Sequence, residues 1–265
     1  MSIVSIDIGS STTKVIEFSD NEIKNTLIIR DGYTEDKIRK FMRENNIINL
    51  EKVVFTGIGA DKVNINAYGV QGEKVEEFTS IANGGLYLAG KEKAIIVSVG
   101  TGTALIEADG KNVKHLGGTG IGAGTLFNMC NRMLGVNSFD EILRLSRDGN
   151  IGKIDLRIGD ITDKEIETLP KDLTLSNFGK FEKDAKKEDI VLGIVNMVAE
   201  VIGMMVAFAT IRSDIKEAVC IGNITAIPEF EEAFDKIEGT HKLKFIVPEY
   251  SEFAVAVGAI KSLEK

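Results

Sequence analysis

Two stretches of this chain repeat one pattern, and the repeat limits what it can fold into more than any other feature. The first is a short β-branched run, Ile3-Val4-Ser5-Ile6-Asp7-Ile8, followed by Gly9-Ser10-Ser11-Thr12-Thr13-Lys14 and a resumed strand pattern at Val15–Phe18. The second is Ala94-Ile95-Ile96-Val97-Ser98-Val99, then Gly100-Thr101-Gly102-Thr103, then Ala104–Ala108 up to an Asp109-Gly110 turn. Each is a strand, a turn of glycine and hydroxyl residues, and a strand. In the first unit an acidic residue, a glycine turn, hydroxyls and a lysine fall within eight residues, the parts needed to hold Mg²⁺ and grip phosphate. Asp7 would orient the metal, chiefly through its waters. Backbone N–H groups of Gly9, Ser10, Ser11 and Thr12 would point at phosphate oxygens, and Lys14 adds a point charge. Taken alone, the same stretch also reads as a hairpin with a solvated polar turn. The pair, about ninety residues apart, implies two related half-structures facing each other, with a phosphate chain meeting donors from both sides, Gly100, Thr101 and Gly102 on the second.

Other segments fill in the frame. Asn25–Arg30 reads as a third strand, Glu35–Asn45 as a helix with Ile38, Phe41 and Met42 on one face, and Val53–Phe55 as a strand ending in a glycine loop. That order suits a mixed sheet better than repeated βαβ units. Phe78–Leu88 reads as a helix whose Gly84-Gly85 pair signals close backbone packing. Glu77 just before it reads, from spacing alone, as one more solvated charge at a helix start. Gly117-Gly118-Thr119-Gly120-Ile121-Gly122-Ala123-Gly124 is expected to be a loop opening a helix at Thr125–Leu134, an arrangement suited to an anion. It lacks the GxxxxGK[ST] pattern, and its GxGxxG-like spacing has no βαβ context for a dinucleotide. Ile221-Gly222-Asn223 ends a later strand, where the adenosine half of a nucleotide can be met.

With 265 residues the chain can bury a sizeable core in one large domain or two smaller ones. Its 40 acidic against 32 basic residues, a net charge of −8, argue against a general nucleic-acid surface. Cys130 and Cys220 stand in unrelated contexts, which disfavours a zinc site, an iron–sulfur site or a disulfide framework. Met1-Ser2-Ile3 has no basic n-region, so a cytoplasmic protein is expected. Ile190–Ile211 is apolar over a transmembrane length, but Asn196 and Glu200 near its middle would be costly in lipid. No membrane partner is expected. The segment reads instead as a helix, Glu188–Arg212, buried between domains or at a subunit interface.

The paired hairpins resemble the phosphate loops of the actin-like ATPase and sugar kinase superfamily. Within it, the whole pattern is similar to type II pantothenate kinase over nearly all of the chain. The carriers are Asp7-Ile8-Gly9 to Lys14, Glu77-Phe78, Val99–Thr103, Gly117–Gly124, Asp155-Leu156, Asp172-Leu173-Thr174, Asn177-Phe178-Gly179, Ile221-Gly222-Asn223 and Val257-Gly258-Ala259. The resemblance implies an α/β protein of two actin-like (ribonuclease H-like) domains with mixed sheets and a nucleotide cleft between them. Their expected limits are 1–93 and 94–265, with the last helix free to pack back on the first domain. It further implies ATP and Mg²⁺ as cofactors and transfer to the primary alcohol of pantothenate, the first step towards coenzyme A. Glu77 becomes the general base, Thr101 steadies the γ-phosphate and the reacting hydroxyl, and Gly118, Thr119, Gly120, Gly122, Gly124, Gly222 and Asn223 join the nucleotide contacts. A homodimer through 190–211, and coenzyme A or its thioesters as a feedback ligand, also follow from it. Two positions depart from the family: His115 stands where an Arg reaches the substrate, and Ala104 where a Ser is usual. His115 is therefore a candidate substrate contact. The departures keep open a kinase of the same fold acting on another small alcohol, and the opening hairpin also resembles those of non-kinase ATPases that activate acyl-CoA dehydratases.

Overall fold

Alternation along the first strand decides which side of its sheet faces the rest of the molecule. In β1 (Ser2–Ile8), Val4, Ile6 and Ile8 enter a core shared with Ile38 and Phe41 of helix α1 (Glu35–Glu44). Ser5 lies on the opposite face, where its hydroxyl donates to the Ala256 carbonyl at 2.7 Å. Asp7 has the parity of Ser5, so it projects from the same inner face at the strand's C-terminal end.

The computed structural model describes residues 1–264 except Glu165, Glu167, Thr168, Leu169 and Arg212. β2 (Thr13–Ser19) and β3 (Glu22–Ile29) extend β1 as an antiparallel meander, while β4 (Leu50–Thr56) and β5 (Gln71–Lys74) add in parallel. Helix α2 (Glu77–Ala89) follows. The next strands are β6 (Ala94–Val99), β7 (Thr103–Ala108) and β8 (Val113–Thr119), then helices α3 (Ala123–Leu134) and α4 (Phe139–Arg147). A small hairpin of β9 (Leu156–Arg157) and β10 (Thr174–Ser176), with the short α5 (Ile158–Ile161) between, precedes the long α6 (Lys187–Thr210). The chain finishes with β11 (Glu217–Ile221), α7 (Pro228–His241), β12 (Lys244–Ile246) and α8 (Ala254–Ser262). The sheet orders are β3-β2-β1-β4-β5 and β12-β11-β6-β7-β8. Both sheets combine three antiparallel strands with two more in parallel, so the repeat seen in the hairpins extends to the whole sheets.

The two helices that follow the last strand of each sheet are exchanged. α2 places Ile81, Ala82 and Leu86 on the second sheet, against Ile96, Ile106 and Val219. α8 places Phe253, at its N-cap, with Ala256, Val257 and Ile260 on the first, against Ile16, Phe18 and Val54. They cross each other through glycines: a Cβ on Gly84 would lie 1.8 Å from the Ala254 carbonyl oxygen, and one on Gly258 1.8 Å from that of Ser80. The Gly84-Gly85 signal thus marks the joint between the two halves.

Two expectations need correction. α6 does not lie between the sheets; it packs on the far side of the second, in a core with Ile95, Val97, Leu126, Ile142 and Phe230. It is long and apolar enough to cross a membrane, yet over half of that span is buried inside the protein. Its outward side leaves Phe208 63% exposed, and Ile211 just beyond its end equally so. The expected helix end at Arg212 lies outside the described residues. Second, Gly117, Gly118 and Thr119 are not loop but the end of β8. Gly118 runs so close to β7 that a Cβ would fall 2.4 Å from the Thr103 carbonyl oxygen, and the register shifts near Gly117. β5 carries no sequence signal of its own, because Gln71-Gly72-Glu73-Lys74 has no apolar alternation and owes its conformation to backbone pairing with β4.

The joint yields a prediction. Gly→Ala in an exposed helix stabilises by about 1 kcal/mol, but at Gly84 or Gly258 the methyl has no room, so each substitution is expected to destabilise by at least about 2 kcal/mol in urea unfolding. A neutral or stabilising effect would show that the crossing is looser than described.

Candidate active site

The turns of the two repeated hairpins face each other across a cleft and touch. The Ser10 and Ser11 hydroxyls hydrogen-bond the Thr101 hydroxyl at 2.7 and 2.8 Å, joining residues that are ninety positions apart in the chain. Below this contact Asp7 and Lys14 are cross-strand partners on β1 and β2, both on the inner face. Asp7 is 7% and Lys14 8% exposed. The loop after β4 must pass beside Asp7, and Gly57 takes the left-handed φ of +88° there, where a Cβ would lie 2.6 Å from the carboxylate. Gly59 donates its N–H to the Ile8 carbonyl at 2.9 Å and locks that loop to the end of β1.

Two cavities open on either side of the hydroxyl contact. One, of about 420 Å³, is lined by Arg30, Phe127, Asn128, Phe139, Asp140, Asn223 and Ile224. The other, of about 330 Å³, is lined by Asp7, Gly9, Ser10, Glu77, Phe78, Gly102, Ala104, Thr119, Gly222, Ser251 and Glu252. Ser11, Thr12, Lys14, Val99, Gly100 and Thr101 line both. The larger cavity has the volume and the mixed aromatic and polar wall of a site for a flat, hydrogen-bonding group. Asn223 Oδ1 is buried there without a hydrogen-bond partner among the described residues, so a ligand N–H would satisfy it.

The electrostatics mark the cleft as a place that waits for charge. Burial raises the Asp7 pKa to about 6; Lys14 opposes the shift and Glu77 adds to it. Burial lowers the Lys14 pKa, while Asp7 and Glu252 act in the other direction. No carboxylate lies within ion-pair distance of Lys14 among the described residues. Glu77 is the first residue of α2 because Glu76 caps the helix, accepting from the N–H groups of Phe78 and Thr79 at 2.9 and 2.7 Å. Glu77 lines the second cavity, with its pKa raised by burial and then by Glu76. Among the described residues, no group of three or more His, Cys, Asp or Glu side chains could hold a metal. A single buried carboxylate such as Asp7, with phosphate oxygens and water completing the shell, suits Mg²⁺, which retains several waters.

Most of the residues singled out in the sequence are brought together here. Gly124 also lines the larger cavity. Gly118, Gly120 and Gly122 line neither. Gly122 instead packs flat on Gly102, where a Cβ would fall 2.8 Å from its backbone. The N–H groups of Ala123 and Gly124 donate to the carbonyls of Gly100 and Thr101 at 2.9 and 3.1 Å, so the start of α3 braces the second turn rather than offering those donors to an anion. His115 also lines neither cavity; its ring stacks on Phe78 at 4.6 Å and 18°. Arg30, Phe127, Phe139 and Glu252 were missed, since no local motif marks them and only the fold brings them to the cleft.

Comparison with known proteins gives a consistent grouping. The model of the Fumble family matches residues 33–229. A type II pantothenate kinase of Bacillus cereus (strain G9842) is 26% identical over 233 residues, covering 83% of each chain. Pantothenate kinase 1 of Arabidopsis thaliana is 26% identical over 275 residues, covering 80% of this chain and 72% of its own. Among solved structures, the activator of the 2-hydroxyisocaproyl-CoA dehydratase from Clostridium difficile with bound ADPNP superposes with a TM-score of 0.68 at 18% identity, covering 100% of this chain and 97% of its own. The ROK hexokinase of Thermus thermophilus does so at 0.58 and 13%, covering 100% and 99%. These structures place the fold among the actin-like ATPases and sugar kinases.

The buried carboxylate predicts a conflict between stability and function. Asp7 binds its proton more tightly in the folded chain than in the unfolded one, so it costs nothing at low pH and destabilises increasingly as pH rises through about 6. Asp7→Asn is therefore expected to stabilise the ligand-free protein by about 1–3 kcal/mol at pH 7 and by less at pH 5. Equal effects at both pH values in urea unfolding would contradict this.

Proposed function

The chain belongs to the Fumble family, and from that premise we propose that it is an ATP-dependent kinase that transfers the γ-phosphoryl group to the primary alcohol of pantothenate. One observation carries the reading: two cavities of ligand size meet at Ser11, Thr12, Lys14, Gly100 and Thr101, so that a nucleotide in one and an alcohol in the other would share the phosphate loops. The named activities of the bacterial and plant relatives support the choice of donor and acceptor.

In this reading the adenosine lies in the larger cavity, between Phe127, Phe139 and Asn223, and the phosphate chain runs to the hairpin turns. The triphosphate separates Ser10 and Ser11 from Thr101 and takes over their hydroxyls, while Lys14 gains the anionic partner that it lacks in the free cleft. Asp7 would hold Mg²⁺, which would supply neutralisation of the charge on the phosphate chain. Glu77, on the acceptor side, takes the hydroxyl proton; its raised pKa places it closer to the pH at which a base works best. Positioning supplies most of the acceleration, since the exchanged helices hold the two loops in register. We further propose that the exposed apolar side of α6, ending in Phe208 and Ile211, joins two copies of the chain as a homodimer.

Two results test the mechanism. ATP consumption with Mg²⁺ is expected to rise on addition of pantothenate, and Glu77→Gln to lose at least about 10²-fold of that stimulated rate; turnover indifferent to the alcohol would overturn the assignment. Because burial raises the Glu77 pKa, activity is expected to fall as pH drops, with an acid limb of kcat/KM above the ordinary carboxylate range. An acid limb within the ordinary carboxylate range would contradict the assignment of buried Glu77 as the base.

A further inference from the structure

The two cavities differ in charge. Lys14, Arg30 and Asp140 are the charged groups among the described lining residues of the larger one, so cations outnumber carboxylates there. The smaller has the opposite balance, with Asp7, Glu77 and Glu252 against Lys14 alone. In a chain whose net charge is −8, a cavity of reversed sign is a place prepared for an anion.

Strand register brings Arg30 to the turn that Ser11 and Thr12 form. On β3, Ile28 is the partner of Lys14 and Ile29 that of Thr13. Arg30 is the next residue, beside Thr12, and alternation gives it the parity of Ile28, which packs towards α8 on the inner face. Lys14 and Arg30 therefore stand on one side of the sheet, and both line the larger cavity. Arg30 is exposed, and its guanidinium has no ion pair among the described residues. Its sequence neighbour Asp31, the nearest carboxylate along the chain, is paired with Lys37 instead. Asp140, in the first turn of α4 on the other side of the cavity, is not joined to Arg30 either. The fork of N–H donors on Arg30 is thus left for a ligand.

Charge balance says what that ligand contact is. Mg²⁺ and Lys14 together do not neutralise a triphosphate, and Asp7 adds a negative charge of its own at the metal. Resting on the kinase reading above, we propose that Arg30 is the second cation of the nucleotide site, its guanidinium bound to phosphate oxygens of the chain from the β3 side. Asp140 repels the phosphates towards the hairpins and is no partner of Arg30.

Calorimetric binding of ATP with Mg²⁺, and of adenosine, in the absence of any acceptor tests this apart from turnover. Arg30→Gln is expected to weaken ATP binding about tenfold or more and to leave adenosine binding unchanged. Arg30→Lys should restore part of the loss, since it keeps the charge without the fork. Asp140→Asn should leave ATP binding as it is or tighten it. Because Arg30 is exposed, the urea midpoint of Arg30→Gln should match that of the unaltered protein. ATP binding by Arg30→Gln equal to that of the unaltered protein overturns the inference and leaves the kinase reading standing. An equal loss for adenosine assigns Arg30 to the shape of the wall and likewise overturns it. So does a loss in Asp140→Asn that matches Arg30→Gln and does not add to it, which would make the two a latch across the cleft. Failure of the unaltered protein to bind ATP sinks the kinase reading and this inference together.

Discussion

The contact on which the rest of the structure depends is the crossing of α2 and α8. Each helix follows the last strand of one sheet and packs on the other, and each meets its counterpart at a glycine with no room for a methyl. Backbone against backbone, with Gly84 on Ala254 and Gly258 on Ser80, leaves little freedom to slide. The crossing therefore fixes how the first sheet stands to the second. Because the glycine and hydroxyl turns extend from β1 and β6, at the centre of each sheet, that geometry also decides how far Ser10 and Ser11 lie from Thr101. Glu77 and Glu252 sit at or just before the starts of these same two helices. Packing and chemistry share one joint.

The electrostatics of the cleft follow from the same architecture. Strand alternation puts Asp7 and Lys14 on the inner face, and the sheets bury them, but neither forms an ion pair among the described residues. Asp7 is held at a pKa of about 6 and Lys14 below its usual range, which is unfavourable for the empty protein. Such a site gains from a ligand that brings both cation and phosphate, and the cost of burial is offset only on binding. The second cavity is different in kind: acidic, with apolar walls and no cation beyond Lys14 among its described lining residues.

Much of this could be read from the chain, and the parts that could not share a physical cause. The hairpins were legible because a buried strand, a glycine turn and a second strand are local, and Asp7, Ser10, Ser11, Lys14, Thr101 and Glu77 meet at the cleft. Gly84-Gly85 was legible as close packing, although not as the joint between sheets, since its partner Gly258 lies far along the chain. Arg30, Phe127, Phe139 and Glu252 carry no local signal, because tertiary topology alone gathers them. Gly117 and Gly118 misled for the opposite reason: glycines that suit a ligand loop also suit an edge strand pressed onto its neighbour. His115 was drawn to the substrate by its position in the chain, whereas in space it lines neither cavity and its ring stacks on Phe78, which lines one.

The central claim is that the two cavities meeting at the phosphate loops hold a phosphoryl donor and its acceptor. Phosphorus NMR of a mixture of the protein, ATP, Mg²⁺ and pantothenate tests it most directly. The account predicts a new phosphomonoester signal that grows in step with ADP, one for one. ADP accompanied only by inorganic phosphate would contradict it, and would mean that the second cavity admits water in place of an alcohol.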